Sequence, residues 1–511
     1  MLQLQNIVLT HKKDLFVLVD HFSCQIQAGE KVAIIGEEGS GKSALLKYIY
    51  GDHELTSYLD LSGQVINGFE SVGYLPQFLA EADLKKDIYE FIFADLDMNH
   101  LDYQRLAQLE SQLSLTSGII YSQERLETLS GGQKIKLQLL KLLLQDPDLL
   151  LLDEPSNDLD WQTLIWLETF IKTSDKTIIF ISHDLRLLQE TATAIIHLER
   201  LKHKSQSLVT FARMDYQTYL TKRSKDTAKQ SQLASQQEAY DKKRMQELTQ
   251  VKQKVHHQLA QTKASATGRL LAKKMKNLKS REKRFERERQ IFVAKPIQEE
   301  KINMRWGEIV PLPATKKILT WTSRDLMVAD RLLVSALDLS LYGHEKVGLV
   351  GQNGMGKSVL LNQVWQELKE RRDLVVKYMP QDYWLGLHGW QTPIDYVQSL
   401  TPSQERGKVM TFLGSMRFLA EEMSRPLSDL SGGQRAKLLL MGLMYSQANF
   451  LLLDEPTRNL SPSSAARLTE ELAKFTGGFL VVSHDRYFLE KTCEKIYELS
   501  PTGLKEVENL S

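Results

Sequence analysis

Two tandem α/β domains joined by a long antiparallel α-helical hairpin are the architecture this sequence predicts. Three observations carry the prediction. The first is a set of motifs written twice. GEEGSGKS (Gly36 to Ser43) and GQNGMGKS (Gly351 to Ser358) are each followed by a proline-glutamine pair, then LSGGQ, then LLLDEP, then Ser-His-Asp. From the Leu of LSGGQ to the Asp of the carboxylate pair is 24 residues in both copies (Leu129 to Asp153, Leu430 to Asp454), and from that Asp to the His is 30 (Asp153 to His183, Asp454 to His484). The second is a series of short, continuous apolar runs, the mark of parallel strands covered on both faces. The third is a middle segment rich in strong helix formers, with neither Gly nor Pro between Ser156 and Thr267.

A chain of 511 residues with 42% apolar content can bury two sizeable cores. No apolar run of about 18 residues occurs, so no membrane-spanning helix is expected. The start, MLQLQNIVLTHKKD, lacks the apolar stretch of a secretory signal. Cys24 and Cys493 are isolated, without disulfide or metal spacing, so a reducing cytoplasm is the expected compartment. The net charge of +1 is unevenly spread: Thr221 to Gln290 holds 20 Lys/Arg against 7 Asp/Glu, a net of +13, leaving −12 on the remainder. Such asymmetry points to a polyanionic partner for the middle segment.

Residues 1–215 read as the first α/β domain. VAIIG (Val32 to Gly36) is a buried strand ending at a glycine turn, SALLKYIY begins a helix, and LLLLDEP and TIIFISHD supply two further buried strands. Residues 216–295 read as the hairpin. Leu248, Val251, Val255 and Leu259 form one apolar stripe, and Leu271, Met275, Leu278, Phe285 and Phe292 form the returning one. The small-residue segment from Thr262 to Gly268 holds the only glycine there and is the expected turn, with a first helix from about 219 to 260. Residues 296–511 repeat the first scheme with VGLVG, LLLDEP and GFLVVSHD.

The repeated motifs carry chemistry. In G-x4-G-K-S, Gly36, Gly39 and Gly41, like Gly351, Gly354 and Gly356, allow a tight loop whose N–H groups surround phosphates at a helix N-terminus. Lys42 and Lys357 neutralise β/γ-phosphate oxygens, and Ser43 and Ser358 supply hydroxyls to Mg²⁺. Asp153 and Asp454 end buried strands and can orient a Mg²⁺ water, while Glu154 and Glu455 can polarise the attacking water. Ser130, Gly131, Gly132 and Gln133, and likewise Ser431, Gly432, Gly433 and Gln434, each open a helix and offer a second anion site. His183 and His484 stand at equal spacing in the same Ser-His-Asp context.

This combination resembles the ABC ATPase superfamily, across roughly 400 residues in the two end domains. The resemblance implies two ABC-type P-loop nucleotide-binding domains, a Mg²⁺-dependent ATPase, and two bound ATP. It also implies that LSGGQ of one domain meets the γ-phosphate held by the other. One composite site then joins the Lys42 loop to Ser431, and the other joins the Lys357 loop to Ser130. Gln77 and Gln381 match the Q-loop glutamines, which assist catalysis and ligate the metal, and His183 and His484 match the switch histidines. The fused pair with its basic helical linker resembles the ABC-F family, whose members bind ribosomes rather than transporters. The resemblance implies large-subunit rRNA and P-site tRNA as partners, a monomer containing an intramolecular ATPase dimer, and a ribosome-contacting tip at Lys263, Ala264, Ser265, Ala266, Thr267, Gly268, Arg269, Leu270 and Leu271.

Two departures place the chain within that family. Gln77 to Leu129 is 52 residues and Gln381 to Leu430 is 49, leaving no room for the extra arm some housekeeping members insert in the first domain. Ser461 stands where the first copy has Asp160, a variant similar to the antibiotic-resistance branch. No aromatic residue occupies the adenine-stacking position: His11 lies near it in the first domain and Val328 or Ala329 in the second, so loose base selectivity (ATP or GTP) is expected. The expected function is ribosomal protection against large-subunit antibiotics. A housekeeping translation factor acting on tRNA is the alternative. A transporter's ATPase subunit would need a membrane partner and gives the hairpin no purpose.

Overall fold

The computed structural model describes the chain except residues 14, 38, 95, 97–100, 117, 158, 202–205, 262–264, 290–305, 307–308, 329–330, 402–403, 417 and 508–511. At 200–201, 206, 261, 265–268 and 289 only the backbone is described. Met1–Tyr216 and Glu300–Ser511 form one compact unit, and Gln217–Glu299 forms a second.

Each end domain is built on a six-stranded sheet of the same order. In the first it runs Val72–Leu75, Leu149–Asp153, Thr177–Ile181, Lys31–Gly36, Ala194–Leu201, Gln206–Ala212. In the second it runs Val376–Met379, Phe450–Asp454, Gly478–Val482, Lys346–Gly351, Lys495–Ser500, Gly503–Glu506. Five strands are parallel and the last is antiparallel. The central strands are buried along their whole length, which is why they read as unbroken apolar runs. The register sets Asp153 beside Ile181 and Gly36 beside Leu198. The carboxyl ends of three adjacent strands thus share one sheet edge, the place where α/β sheets bind ligands.

A second, antiparallel sheet flanks each core. It has three strands in the first domain (Val17–Ile26, Leu2–His11, Leu59–Asn67) but two in the second (Lys317–Val328, Arg331–Tyr342). The cause is chain length. The first domain has room for the strand Leu59–Asn67 between its phosphate-loop helix, ending at Tyr50, and Val72; in the second, the helix ends at Leu368 and the next strand starts at Val376.

The hairpin consists of helices Tyr216–Gln261, of 46 residues, and Ser265–Arg289, of 25. At about 1.5 Å per residue the return helix is about 37 Å long. Leu248, Val255 and Leu278 are buried at its seam, with Met245, Leu271, Met275 and Phe285 packed around them. Charged residues flank the seam: Lys252 pairs with Glu282 at 2.7 Å, and the Arg244 guanidinium lies 3.5 Å from the Phe285 ring centroid.

Three sequence expectations need correction here. The return helix already begins at Ser265, so Gly268 lies in its first turn and is not the reversal point. Helix formers from Arg269 onward propagate the helix backward through one glycine, whose cost is only about 1 kcal/mol. Val251 and Leu259 are 40% and 37% exposed and lie outside the buried seam, which a narrow stripe fills from Met245, Leu248 and Val255. The first helix starts three residues earlier than expected, at Tyr216. Lys263, Ala264 and Phe292 lie outside the described residues, as do the side chains of Ser265, Ala266 and Thr267; Arg269, Leu270 and Leu271 sit on the return helix, with Leu270 70% exposed.

Candidate nucleotide sites

Each phosphate loop leaves the central strand and enters a helix, Lys42–Tyr50 or Lys357–Leu368, through a glycine in the left-handed region (Gly41 at φ 100°, Gly356 at φ 92°). Gly351 has φ 146°, and a Cβ there would stand 2.7 Å from the Leu499 carbonyl oxygen. Only glycine fits that strand-to-loop bend. The loop lysines are buried and fold over their own loops. Lys42 Nζ donates to the carbonyls of Gly36 and Glu37, both at 3.1 Å, and Lys357 Nζ to those of Gly351 (2.8 Å) and Gln352 (3.0 Å). Burial lowers the Lys357 pKa against the pull of Glu455, Asp160 and Asp454. A phosphate entering the loop gives that desolvated ammonium a charged partner in place of carbonyl dipoles.

The carboxylate pairs stand at the adjoining strand ends. Ser43 Oγ donates to Asp153 at 3.1 Å, and burial pushes Asp153 up to about 6 against that bond and Lys42. Ser358 stands beside Asp454 and eases its charge, yet both Asp454 oxygens are buried without a well-formed hydrogen bond. A hydroxyl next to a desolvated carboxylate with open lone pairs suits a hard divalent cation that keeps most ligands from phosphate and water.

Glu154 and Glu455 both adopt left-handed backbone (φ 53° and 50°), held there by N–H bonds to Ile181 O (3.1 Å) and Val482 O (2.9 Å). Strain of this kind in a non-glycine residue persists only where the surrounding structure over-determines it. The bend turns each carboxylate toward the neighbouring strand's histidine. His183 Nε2 is 3.0 Å from Glu154, and His484 Nε2 is 3.8 Å from Glu455. Electrostatics differ between the copies. Burial opposes the Glu154 charge, but His183 and Lys42 outweigh it and hold the carboxyl below its ordinary range. Burial and the adjacent Asp454 push Glu455 up to about 8, and burial with Lys357 holds His484 down at about 3.

The LSGGQ segments form matched capping boxes. Gln133 N–H donates to Ser130 Oγ (3.3 Å) while Ser130 N–H donates to Gln133 Oε1 (3.0 Å), and Ser431 with Gln434 does the same at 3.3 and 2.9 Å. The Gln is therefore spent on rigidifying the helix start, and Gly131 and Gly432 open their helices at the positive end of the dipole.

A cavity of about 700 Å³ brings the two domains' residues together. Gly354, Gly356, Lys357 and Ser358 line it with Ser130, Gly131 and Gly132 of the other domain. Glu154, Glu455, Asp454, His183, His484, Gln77 and Gln381 also reach its wall, whereas Lys42, Ser43, Asp153, Gln133 and the Ser431 to Gln434 segment do not. Val328 and Arg331 line it, His11 is not on its wall, and Ala329 lies outside the described residues.

Residues that sequence reading missed join the domains. Arg486 pairs with Glu168, both buried, and Arg186 pairs with Glu490. Trp161 packs against the core of the second domain. Asp160 caps the helix Trp161–Thr173, accepts from Lys136 Nζ at 2.9 Å, and its charge is felt by Lys357 and His484. Ser461 caps its own helix, Pro462–Ala473, and its hydroxyl donates to Ser464 Oγ at 2.9 Å. Arg486 follows a Ser-His-Asp motif, and that position was the one available signal.

Known proteins share this arrangement. A family profile described as ABC transporter matches residues 19–157 and 334–458. "Probable ATP-binding protein YheS" of Escherichia coli (strain K12) is 30% identical, covering 94% of this chain and 76% of that one. "Ribosome protection protein VmlR" of Bacillus subtilis (strain 168) is 31% identical, covering 96% and 85%. Among solved structures, an archaeal ribosome recycling factor, aABCE1, seen with the ribosomal stalk protein aP1, superposes with a TM-score of 0.62 at 16% identity, covering 96% of this chain and 87% of that one. An RNase-L inhibitor superposes at 0.61 and 15% identity, covering 98% and 91%. These two likenesses establish a common fold. Among the described residues no helix is long and apolar enough to cross a membrane.

Proposed function

Since this chain belongs to the ABC family of ATP-hydrolysing enzymes, we propose that it is a cytoplasmic ABC-F protein that turns over ATP at two composite sites and uses the cycle to load and release its basic hairpin on the ribosome. There it protects the peptidyl transferase centre from antibiotics that target the large subunit. The observation that carries this reading is the pairing of the cross-domain cavity with a basic two-helix arm in a chain 31% identical, over 96% of its length, to a ribosome protection protein.

The mechanism follows from the residues. ATP phosphates settle on the loop N–H groups, and Lys357 or Lys42 turns from its carbonyls to the β/γ oxygens. Ser358, Asp454 and Gln381 in one site, and Ser43, Asp153 and Gln77 in the other, would hold Mg²⁺. When bound, that ion neutralises charge on the β/γ oxygens. Ser130 with the Gly131 and Gly132 amides closes the Lys357 site from the opposite domain, and Ser431 with Gly432 and Gly433 closes the Lys42 site. Each closure excludes water and strengthens every charge interaction inside. Glu154, and Glu455 once ionised, take the proton of the attacking water, with His183 and His484 facing them. Phosphate release removes the anion that bridged the domains, and the protein leaves the ribosome. The hairpin's net charge meets large-subunit rRNA phosphates, and residues 263–271 approach the P-site tRNA end.

A housekeeping translation factor acting on tRNA is the competing reading, since YheS, a relative of similar identity, is described only as a probable ATP-binding protein. The test is expression in a susceptible strain against lincosamides, pleuromutilins, streptogramins, phenicols, oxazolidinones and macrolides. Raised resistance to at least one class is expected. No rise in any class, with an elongation defect on deletion in the native host, would replace protection with the translation-factor reading.

A further inference from the structure

The two carboxylate motifs open into loops of one backbone shape but different charge. Asn157 N–H donates to Glu154 O at 3.2 Å, and Arg458 N–H donates to Glu455 O at 3.1 Å. Both residues stand three positions after their glutamate, so the copies differ there in the side chain, Asn157 against Arg458. The Arg458 loop is also pinned: its carbonyl accepts the hydroxyl of buried Tyr383 at 2.8 Å. Arg458 lines the same cavity wall as Lys357, Ser358, Glu455 and His484. Standing three residues after Glu455 on that wall, its charge also bears on Asp454, Glu455 and His484.

We propose that Arg458 is a catalytic residue of the Lys357 site, contacting the γ-phosphate of ATP and stabilising the charge that develops on it during hydrolysis. The inference rests on the reading that this site turns over ATP. Water adds to the γ-phosphorus, the bond to the β–γ bridging oxygen breaks with its electron pair leaving on ADP, and Glu455 in its ionised form takes the water proton. The γ oxygens spread apart in the transition state, and a planar guanidinium with five donors follows them where a single ammonium cannot. Lys357 sits at the loop side, so Arg458 supplies the second cation from the carboxylate side. Asn157 carries no charge, so the Lys42 site lacks this element.

The experiment separates the sites by silencing one at a time. In full-length protein carrying Glu154→Gln, Arg458→Asn should lower kcat by about 100-fold, the scale of losing one preorganised transition-state donor, with KM changed less than about 3-fold. Arg458→Lys should recover only part of the loss. ADP-vanadate trapping should fall with kcat, while ATP affinity stays. In the Glu455→Gln background, Arg458→Asn should leave the remaining turnover unaltered. Turnover within 2-fold of the parent in the Glu154→Gln background, or equal loss in both backgrounds, overturns the proposal. A Glu154→Gln parent with no turnover while Glu455→Gln keeps it all overturns the underlying reading of the Lys357 site as well.

Discussion

The buried pair between Arg486 and Glu168 should govern how firmly the two nucleotide-binding domains dock. The residues are 318 apart in sequence, and their side chains are 3% and 11% exposed. Removing one partner of a buried pair costs about 3–5 kcal/mol, because the other charge stays desolvated and alone. Arg186 Nε lies 4.0 Å from Glu168 and offers a weaker second partner, which points to the lower end. Arg486→Met should therefore weaken docking by about 3 kcal/mol, or about 150-fold. The double variant Glu168→Leu with Arg486→Met should return to within about 1 kcal/mol of wild type, since neither charge remains. Trp161 packs on the second domain's core and reports docking directly. Urea titrations would follow the fluorescence difference between each protein and its Trp161→Phe counterpart. A shift below about 0.5 kcal/mol for Arg486→Met, or a double variant as weak as the single one, refutes the reasoning.

Three further outcomes follow. Glu154→Gln with Glu455→Gln should leave ATP binding intact and stop hydrolysis, holding the protein on ribosomes with ATP; release at the wild-type rate in a sedimentation assay contradicts the release model. Asp485 is pushed up to about 7 by burial and by Asp184, so the folded state binds its proton more tightly than the unfolded chain. Its stabilisation is full below the ordinary 3.8 and is lost as pH rises through about 7, so Asp485→Asn, which keeps the cap on Phe488 N–H, should flatten stability against pH across that window in thermal melts. Gly351→Ala forces a Cβ to 2.7 Å from the Leu499 carbonyl at φ 146° and should destabilise the second domain by about 1–3 kcal/mol, measured by calorimetry.

What sequence could convey depended on the range of the physics. The phosphate loops were legible because much of their geometry is local: Gly351 and Gly356 adopt φ of 146° and 92°, a backbone that favours glycine. The sheet edge followed nearly as well, since Leu149–Asp153 and Thr177–Ile181 are apolar enough only for parallel strands buried on both faces. Beyond Arg486's place after Ser-His-Asp, nothing marked its pairing with Glu168, because one arginine among many chooses its partner only when two domains meet. Gly268 misled for the opposite reason. A residue that breaks helices in isolation was read without the neighbours that carry the helix through it. The lost third strand of the second domain was written only as a missing length between Leu368 and Val376.

Gly268 has a mechanical consequence for the arm that carries it. A glycine in the first turn makes that turn about 1 kcal/mol easier to open than alanine would, and a helix end frays first. Four residues that unwind exchange about 6 Å of rigid rise for up to about 13 Å of extended chain. The return helix is thus stiff behind a first turn, residues 265–268, whose amides should be the first of that helix to exchange with deuterium. Opening that turn lengthens the chain there and leaves the helix from Arg269 onward in place.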